Sequence, residues 1–506
     1  MSEKQRILLI HPPFYRLYTD EYSYDRYPIS LAYLARTILR DTDWDVMVYN
    51  ADFNKKNRSG NSNIKFGFRS GKGYQNYLAS LKDFSTPIWD EVRSTIQSYR
   101  PTVVGISAMS PNFASASIVA QLVKEYDDQI TVILGGPHAS TSGRDAIKSP
   151  CIDIAVRGEG ELTIVELLQA LEGKKNLAEV NGIIYKVNGN QTETPERDYI
   201  CDLSTLVFPY ESVSDVLMDF QHYPLQAFNN VFANRGCPYD CSFCGSRYIW
   251  SRQVRFRPID HLIQEIMDLR NKGVNNLYFC DDTFGANKKW LSEFCTALTK
   301  SCPGLKWSCE IHARLIDDKT LSLMKEAGCY KIELGIESGN NDILKRIRKQ
   351  ITIEDGLLAA KRIRDHGIEL HVYFLIGFPF DTEQTINDTF KAIKSLKNRA
   401  SMSISIFTPF PHTELYEFCL QNGLIEDSFN VSLHNYASLD CFCLNVPQER
   451  FKEIAVEIEN FIDKSNHNYT LRRMVSGNTI WRIRELGFNK SLGSLKKILV
   501  NKGGQK

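Results

Sequence analysis

The run RGCPYDCSFCGSR, residues 235–247, places Cys237, Cys241 and Cys244 in a C-x3-C-x2-C arrangement directly after a predicted strand at 228–233. Soft thiolates in this pattern suit zinc or an iron–sulfur cluster. Structural zinc sites close with four ligands, and no fourth Cys or His stands at local spacing, the nearest downstream being His261 and Cys280. Three thiolates on a four-iron cluster leave one iron open to a small molecule. The missing ligand therefore favours a 4Fe-4S cluster over closed zinc.

Downstream, predicted strands at 276–280, 307–311, 331–336, 370–376 and 402–407 alternate with helical patterns at 258–271, 288–300, 318–327, 341–348, 354–366 and 384–397. Six strand–helix repeats of crossover length predict a partial (β/α)6 barrel of the TIM type over 226–412. Such a barrel supplies strand ends for chemistry without naming the chemistry. From 413 the alternation stops. Residues 413–424 and 447–463 read as helices, and a Lys- and Arg-rich stretch runs through 471–502 as a solvated segment or a partner-binding surface. Residues 413–506 form a mainly helical C-terminal region.

Upstream, RILLI at 6–10 reads as a buried strand ended by His11-Pro12-Pro13. A helix pattern at 29–40, a strand at 45–50, a long polar loop at 53–75, strands at 101–109, 130–136 and 153–158, and helices at 114–126 and from 161 complete the series. This α/β alternation predicts a doubly wound, Rossmann-like parallel sheet over 1–170. Residues 171–225 are a connecting segment with a small hairpin around 191–197.

With 61 Lys and Arg against 60 Asp and Glu, the net charge of +1 offers no field suited to nucleic acid. The start MSEKQRILLIHPP lacks the features of an export signal, and no run approaches the roughly 20 apolar residues of a membrane span. A cytoplasmic location is expected. The 13 cysteines are too sparse and odd in number for a disulfide scaffold.

At the cysteine motif, with Phe243 before the last cysteine, the chain resembles the radical S-adenosylmethionine superfamily. The resemblance implies that the open iron chelates the methionyl amine and carboxylate of S-adenosylmethionine, which on one-electron reduction yields a 5′-deoxyadenosyl radical. An external donor such as flavodoxin or ferredoxin is implied. Matches continue along 228–412. In NNLYFCDDTF, Asp282 is favoured for the cofactor amine, with Asp281 the alternative and helix or loop capping the role of the other carboxylate. Arg314, after WSCEIHAR, suits the cofactor carboxylate or an internal salt bridge. In KIELGIESGN, Glu337 and Ser338 are placed for ribose hydroxyls, and Gly339 for close approach. FLIGFPFDT puts Gly377 near adenine. TPFPHTELYE carries His412 where glycine is common, a candidate substrate contact.

RILLIHPP, PISLAYLA at 28–35, VVGISAMS, ILGGPHAS and VRGEGE make 1–170 similar to the cobalamin-binding domain fused ahead of the radical domain in one large subfamily. The cobalamin contacts so implied are Ser107, Ser110, Gly135, Gly136 and His138, with Gly158 and Glu159 on the same edge. No Asp-x-His-x-x-Gly sequence supplies a lower cobalt ligand; His11 is either such a ligand or an ordinary turn residue. The resemblance implies methyl transfer to an unactivated carbon of a small metabolite, with peptide and lipid-like substrates open. The alternatives are cyclisation, oxidation or rearrangement with the same cofactors, and a non-catalytic cofactor-binding regulator.

Overall fold

In a computed structural model, which describes residues 4–19, 22–56, 71–435 and 438–475, the N-terminal apolar runs become β1 (Arg6–His11), β2 (Asp45–Asn50), β3 (Val103–Ser107), β4 (Thr131–Gly135) and β5 (Ile154–Val156). Period-2 alternation along β1 sends Ile7 and Leu9 into one core and Leu8 and Ile10 into another. Helices Ile29–Asp41 and Gly160–Leu171 fill the first face, Pro87–Tyr99 and Phe113–Tyr126 the second. A strand buried on both faces reads as an unbroken apolar run, which is why RILLI was legible.

The sheet order is β2-β1-β3-β4-β5 with all pairings parallel, followed by an antiparallel hairpin of β6 (Ile183–Val187) and β7 (Asn190–Glu193). The hairpin lies upstream of its expected position around 191–197 and continues the first sheet past residue 170. Helices Pro87–Tyr99 and Pro137–Ala146 were not foreseen. Both begin at a proline, whose fixed φ and missing N–H suit a first helical turn. Of the loop expected at 53–75, residues 57–70 lie outside the described residues and Gly71–Ser80 is helical.

The second series begins with β8 (Asn230–Val231) and a short antiparallel pair, β9 (Asn234–Arg235) and β10 (Arg255–Phe256). It continues through β11 (Asn276–Phe279), β12 (Lys306–Glu310), β13 (Cys329–Glu337), β14 (Glu369–Ile376) and β15 (Ser401–Ile406). These form a six-stranded parallel sheet in the order β15-β14-β13-β12-β11-β8, the expected partial barrel.

Its open β15 edge is covered by helix Gln448–Val475. The Asn466 side chain accepts from the Met402 N–H at 2.8 Å and donates to the Met402 carbonyl at 2.7 Å, standing in for the missing strand. The expected helix at 447–463 thus runs further, and residues 476–502 of the basic stretch lie outside the described residues. Among the described residues no helix is long and apolar enough to cross a membrane. One continuous apolar core joins Ile7 and Leu9 of the first sheet to Phe228, Val231 and Leu277 of the barrel.

Candidate active site

The cysteine loop springs from Gly236, whose φ of +103° and near contact with the Gln253 carbonyl leave no room for a side chain. Cys237, Cys241 and Cys244 are free and part-buried. The loop is pinned by Ser242 N–H to the Ile347 carbonyl at 3.1 Å and by Arg348 Nε to the Asp240 carbonyl at 2.9 Å. Tyr239 stacks on His312 with centroids 3.6 Å apart. His312 Nε2 lies 3.0 Å from the Lys349 carbonyl and its Nδ1 accepts from Arg314 N–H. Burial, with Lys349 nearby, pulls the imidazole down to about 3, so it stays neutral.

The exit of β11 clasps this loop at several points. Asp281 is buried and accepts from Ala233 N–H at 2.9 Å and from Asn234 N–H, its other oxygen being without a partner. Thr283 Oγ1 lies 3.2 Å from Cys237 Sγ. Asp282, the exposed carboxylate, accepts from Ser246 Oγ at 2.6 Å. Asp281 is therefore the capping member of the pair and Asp282 the one facing outward. At the end of β12, Glu310 accepts from the Tyr278 hydroxyl at 3.1 Å; burial and the Glu333 charge push it up to about 7. Arg314 is exposed and donates to Gln350 Oε1 at 3.0 Å, and among the described residues it forms no salt bridge.

The later strand exits hold the remaining site candidates in contacts of their own. Ser338 is buried: its hydroxyl lies 3.2 Å from Thr389 Oγ1 and accepts from Asn340 N–H, so it builds the barrel wall and is not turned toward a ribose. Gly339 makes a close approach to the Asp388 carbonyl. The Glu337 carboxylate, at a residue with φ of +70°, is taken by Lys349 Nζ at 2.8 Å. Gly377, with φ of +89°, gives its N–H to Asp381 Oδ2 at 3.0 Å. Phe243 packs edge-on against Phe378, 5.7 Å between centroids, within an apolar cluster. His412 is exposed with φ of +64°, the left-handed conformation that explains why glycine suits this turn.

The first sheet presents its carboxyl edge to this mouth. Its 2-1-3-4-5 order reverses between β1 and β3, where open sheets leave a ligand crevice. Ser107 ends β3. Ser110 Oγ lies 3.1 Å from His138 Nδ1, and the His138 ring stacks on Phe113 at 3.9 Å. Burial pulls His138 down to about 4, and His412 across the interface pushes the same way. Gly136 has φ of +92°, and a Cβ there would lie 2.8 Å from the Ala108 carbonyl oxygen. At Gly135 and Gly158 a Cβ would meet nothing within 4 Å, and Met109 between these loops is exposed. The edge is an open shelf of backbone and small residues. His11, the last residue of β1, stacks near Tyr24 and is pulled down by burial despite Asp52.

Glu159, beside Gly158, spends its carboxylate on contacts within the protein. Its carboxylate is buried and accepts from Arg235, from Arg255 Nη1 at 2.8 Å and from Ile200 N–H at 2.7 Å, while Glu161 holds the other end of the Arg235 guanidinium. Two acids of VRGEGE thus neutralise the arginine two residues before Cys237. Sequence reading also missed Ser432, which accepts from Ala114 N–H at 3.1 Å and donates to the Ser110 carbonyl at 2.9 Å. Residues from the C-terminal region therefore reach the first domain's edge, and no local pattern announced it.

The model of the radical SAM superfamily matches residues 231–393, and that of the B12 binding domain residues 68–168. An uncharacterised methyltransferase of Pyrococcus horikoshii is 30% identical over 390 residues, 76% of this chain and 82% of that protein. The chain belongs to the cobalamin-dependent radical S-adenosylmethionine enzymes. The chain is also 29% identical, over 69% of its length and 64% of the relative's, to the anaerobic magnesium-protoporphyrin IX monomethyl ester cyclase of Rubrivivax gelatinosus. The structure of the methyltransferase TsrM of Kitasatospora setae with cobalamin and 4Fe-4S cluster bound matches with a TM-score of 0.62 at 16% identity, over 82% of this chain and 78% of that one; at that identity the likeness is one of fold.

The residues present fit the three cofactors of this family: a 4Fe-4S cluster, S-adenosylmethionine and cobalamin. Among the described residues no three His, Cys, Asp or Glu side chains could hold a single metal ion. A cluster spreads its thiolates over separate irons and does not need them around one point. Burial pushes Cys241 up to about 12 and Cys244 to about 11, so metal must displace these protons. The open space at Gly135 and Gly158 suits a broad planar ligand that a side chain would obstruct.

Proposed function

We propose that this enzyme transfers a methyl group to an unactivated carbon of a small metabolite. The observation that carries the reading is the opposition of two edges: the cysteine loop at the barrel mouth and the Ser107–His138 shelf of the first sheet, tied by Arg235 to Glu159 and Glu161. When bound, the cluster and S-adenosylmethionine supply a 5′-deoxyadenosyl radical that removes a substrate hydrogen atom, and cobalamin supplies the methyl group. The protein's part is binding, orientation and exclusion of water.

In this reading Cys237, Cys241 and Cys244 are the cluster ligands, with Thr283 and Tyr239 fixing their loop. Asp282 and Arg314 face outward with spare hydrogen-bonding capacity and serve the cofactor amine and carboxylate. Ser107, Gly135, Gly136 and Gly158 form the cobalamin shelf, and the neutral His138 is held by Ser110. His412 stands at the junction for the substrate. An external flavodoxin or ferredoxin supplies electrons, and the enzyme works in the cytoplasm.

The cyclase among the relatives favours a second reading, oxidative cyclisation with the same cofactors. One experiment separates them. Anaerobically reconstituted enzyme is supplied with reductant, hydroxocobalamin, methyl-deuterated S-adenosylmethionine and a metabolite extract. A product carrying an intact CD3 group is expected; 5′-deoxyadenosine formed alongside a hydrogen-depleted product without label would overturn methyl transfer. Cys244→Ala, with iron counting and electron paramagnetic resonance, checks the ligand set: an unchanged four-iron signal would remove it.

A further inference from the structure

Arg26, in the loop between β1 and helix Ile29–Asp41, is exposed, yet the chain builds a seat for it. Its N–H donates to the Tyr24 carbonyl at 2.8 Å, and Tyr27 N–H donates to the Ala227 carbonyl, just ahead of β8, at 3.1 Å. The buried Asn50, last residue of β2, donates its side-chain amide to the carbonyls of Tyr24 and Arg26 at 3.2 and 3.1 Å. First sheet and barrel therefore both fix this turn. The guanidinium lies 5.6 Å over the Tyr278 ring and donates to Asn230 Oδ1 at 3.4 Å; among the described residues it forms no ion pair. An arginine stacked on a ring keeps its in-plane N–H fork open to an oxyanion.

Tyr278 and Asn230 are paired in register on the inner face of the barrel. Leu277 and Phe279, which flank Tyr278, pack into the helix-side core, so alternation along the strand turns Tyr278 inward. The same register carries the inner face on through Ser308 and Lys331, and through Glu310, Glu333 and His371. Bulky branched apolar residues fill the interior of a closed TIM barrel; this interior is polar. It is also reached by solvent, since His371 and Tyr373 of β14 stay part-exposed while Val372 and Phe374 between and beyond them are buried. Its acids are already engaged, Glu310 by the Tyr278 hydroxyl and Glu333 by Lys331 and Tyr373. Arg26 is left as a charge without a counter-charge at the β8 edge of the lumen. Its loop follows β1, which borders the crevice of the first sheet, and the strand beneath it exits through Asp282 and Thr283 at the cysteine loop.

Resting on the methyl-transfer reading of these two edges, we propose that Arg26 sets the substrate class: its guanidinium takes a carboxylate or phosphate group of a small hydrophilic substrate seated in the barrel lumen. A planar fork pairs with either oxyanion through two parallel N–H···O bonds. An apolar chain laid against Ser308, Lys331 and His371 would bury polar groups without partners, so the same lumen disfavours a lipid-like substrate.

The test dialyses full-length, anaerobically reconstituted, cobalamin-loaded protein to equilibrium against a metabolite extract. Anion exchange first divides the extract into retained and unretained fractions, and mass spectrometry quantifies what the protein binds. The parent should concentrate at least one compound of the retained fraction, and Arg26→Gln should bind it about tenfold or more weakly. Arg26→Lys, which keeps the charge but not the fork, should fall between them. Phosphatase treatment of the fraction tells the two groups apart, abolishing the binding of a phosphate ester and sparing a carboxylate. In turnover with methyl-deuterated S-adenosylmethionine, the same compound should show a raised KM in Arg26→Gln at near-parental kcat. Three results would each overturn the proposal: no anion bound by the parent, parental affinity of Arg26→Gln for every bound compound, or weakened hydroxocobalamin or S-adenosylmethionine binding in Arg26→Gln. An Arg26-dependent compound that yields 5′-deoxyadenosine but no CD3 product would instead overturn the methyl-transfer reading and leave the role of Arg26 standing.

Discussion

Glu159→Gln removes the charge shared by Arg235 and Arg255 while keeping the side chain's shape. The carboxylate side chain is 2% exposed, and removing one member of a buried ion pair costs about 3–5 kcal/mol because the partner charge is stranded. Glu161 remains on Arg235, so the loss should fall near the lower bound, about 3 kcal/mol, on the order of 150-fold in the folding equilibrium. Glu161→Gln should cost less, since Glu159 continues to serve both arginines. Burial alone would raise the Glu159 carboxyl, but the hydrogen bond from Arg255 and the charge of Arg235 hold it below its ordinary 4.5. Its stabilisation is therefore present above pH 4.5 and is lost as pH falls through the lower native value. Arg235 and Arg255 lie over the Trp250 ring, 5.7 and 5.8 Å from its centroid, so tryptophan fluorescence during urea unfolding of the cofactor-loaded protein reports on the pair. A Glu159→Gln loss below about 1 kcal/mol at pH 7, or a gap to the parent that does not narrow below pH 4.5, would refute the reasoning.

Glu310 tests the opposite sign. Its native value of about 7 exceeds the ordinary 4.5, so the folded state binds the extra proton and stability falls as pH rises from 4.5 to 7; Glu310→Gln should flatten that limb in urea midpoints measured at pH 5 and 8. Gly135→Leu should fold as the parent but lose hydroxocobalamin affinity about tenfold or more by spectrophotometric titration, on the order of 1.4 kcal/mol, whereas Gly136→Ala, against the Ala108 carbonyl at positive φ, should itself be destabilised by about 1–3 kcal/mol. Ser338→Ala should leave S-adenosylmethionine affinity unchanged in equilibrium dialysis, because its hydroxyl serves Thr389 and Asn340. Ser432→Ala should weaken hydroxocobalamin binding about fivefold, the worth of about 1 kcal/mol for the lost hydrogen bond to the Ser110 carbonyl.

The strands were legible wherever they wrote an apolar run, as in RILLI, buried on both faces, and YFLI, where buried and part-buried residues alternate, and the barrel helices wherever polar faces kept a 3.6-residue rhythm. Helix Pro137–Ala146 was hidden because PHASTSGRDA is mostly small and polar; tertiary contact, not periodicity, holds it. The cysteine triad was readable because ligand spacing is local. Ser338, Glu337 and Glu159 were not, because no local motif marks their partners, at Thr389, Lys349 and Arg235. A hydroxyl or carboxylate at a strand end looks the same in sequence whether it faces a ligand or the wall. Lys349 was not singled out in the sequence, and only the fold shows it buried against Glu337.

The ties between the halves bear on how two reactive edges keep one geometry. Arg235 belongs to the strand that delivers Cys237, and its acids, Glu159 and Glu161, stand at the start of helix Gly160–Leu171 after β5, so one ion-pair hub links the cysteine loop directly to the first sheet's edge. Ser432 fixes Ser110, which holds His138, and this second tie comes from the C-terminal region. The connecting segment adds a third, with Met218 N–H donating to the Val48 carbonyl at 3.0 Å. Three attachments from three parts of the chain, together with a shared apolar core, leave no free rotation between the sheets. In the proposed reaction a hydrogen atom removed at one edge and a methyl group delivered from the other must meet at the same carbon, and the two attachments independent of the connecting segment hold that distance where a single linker would not.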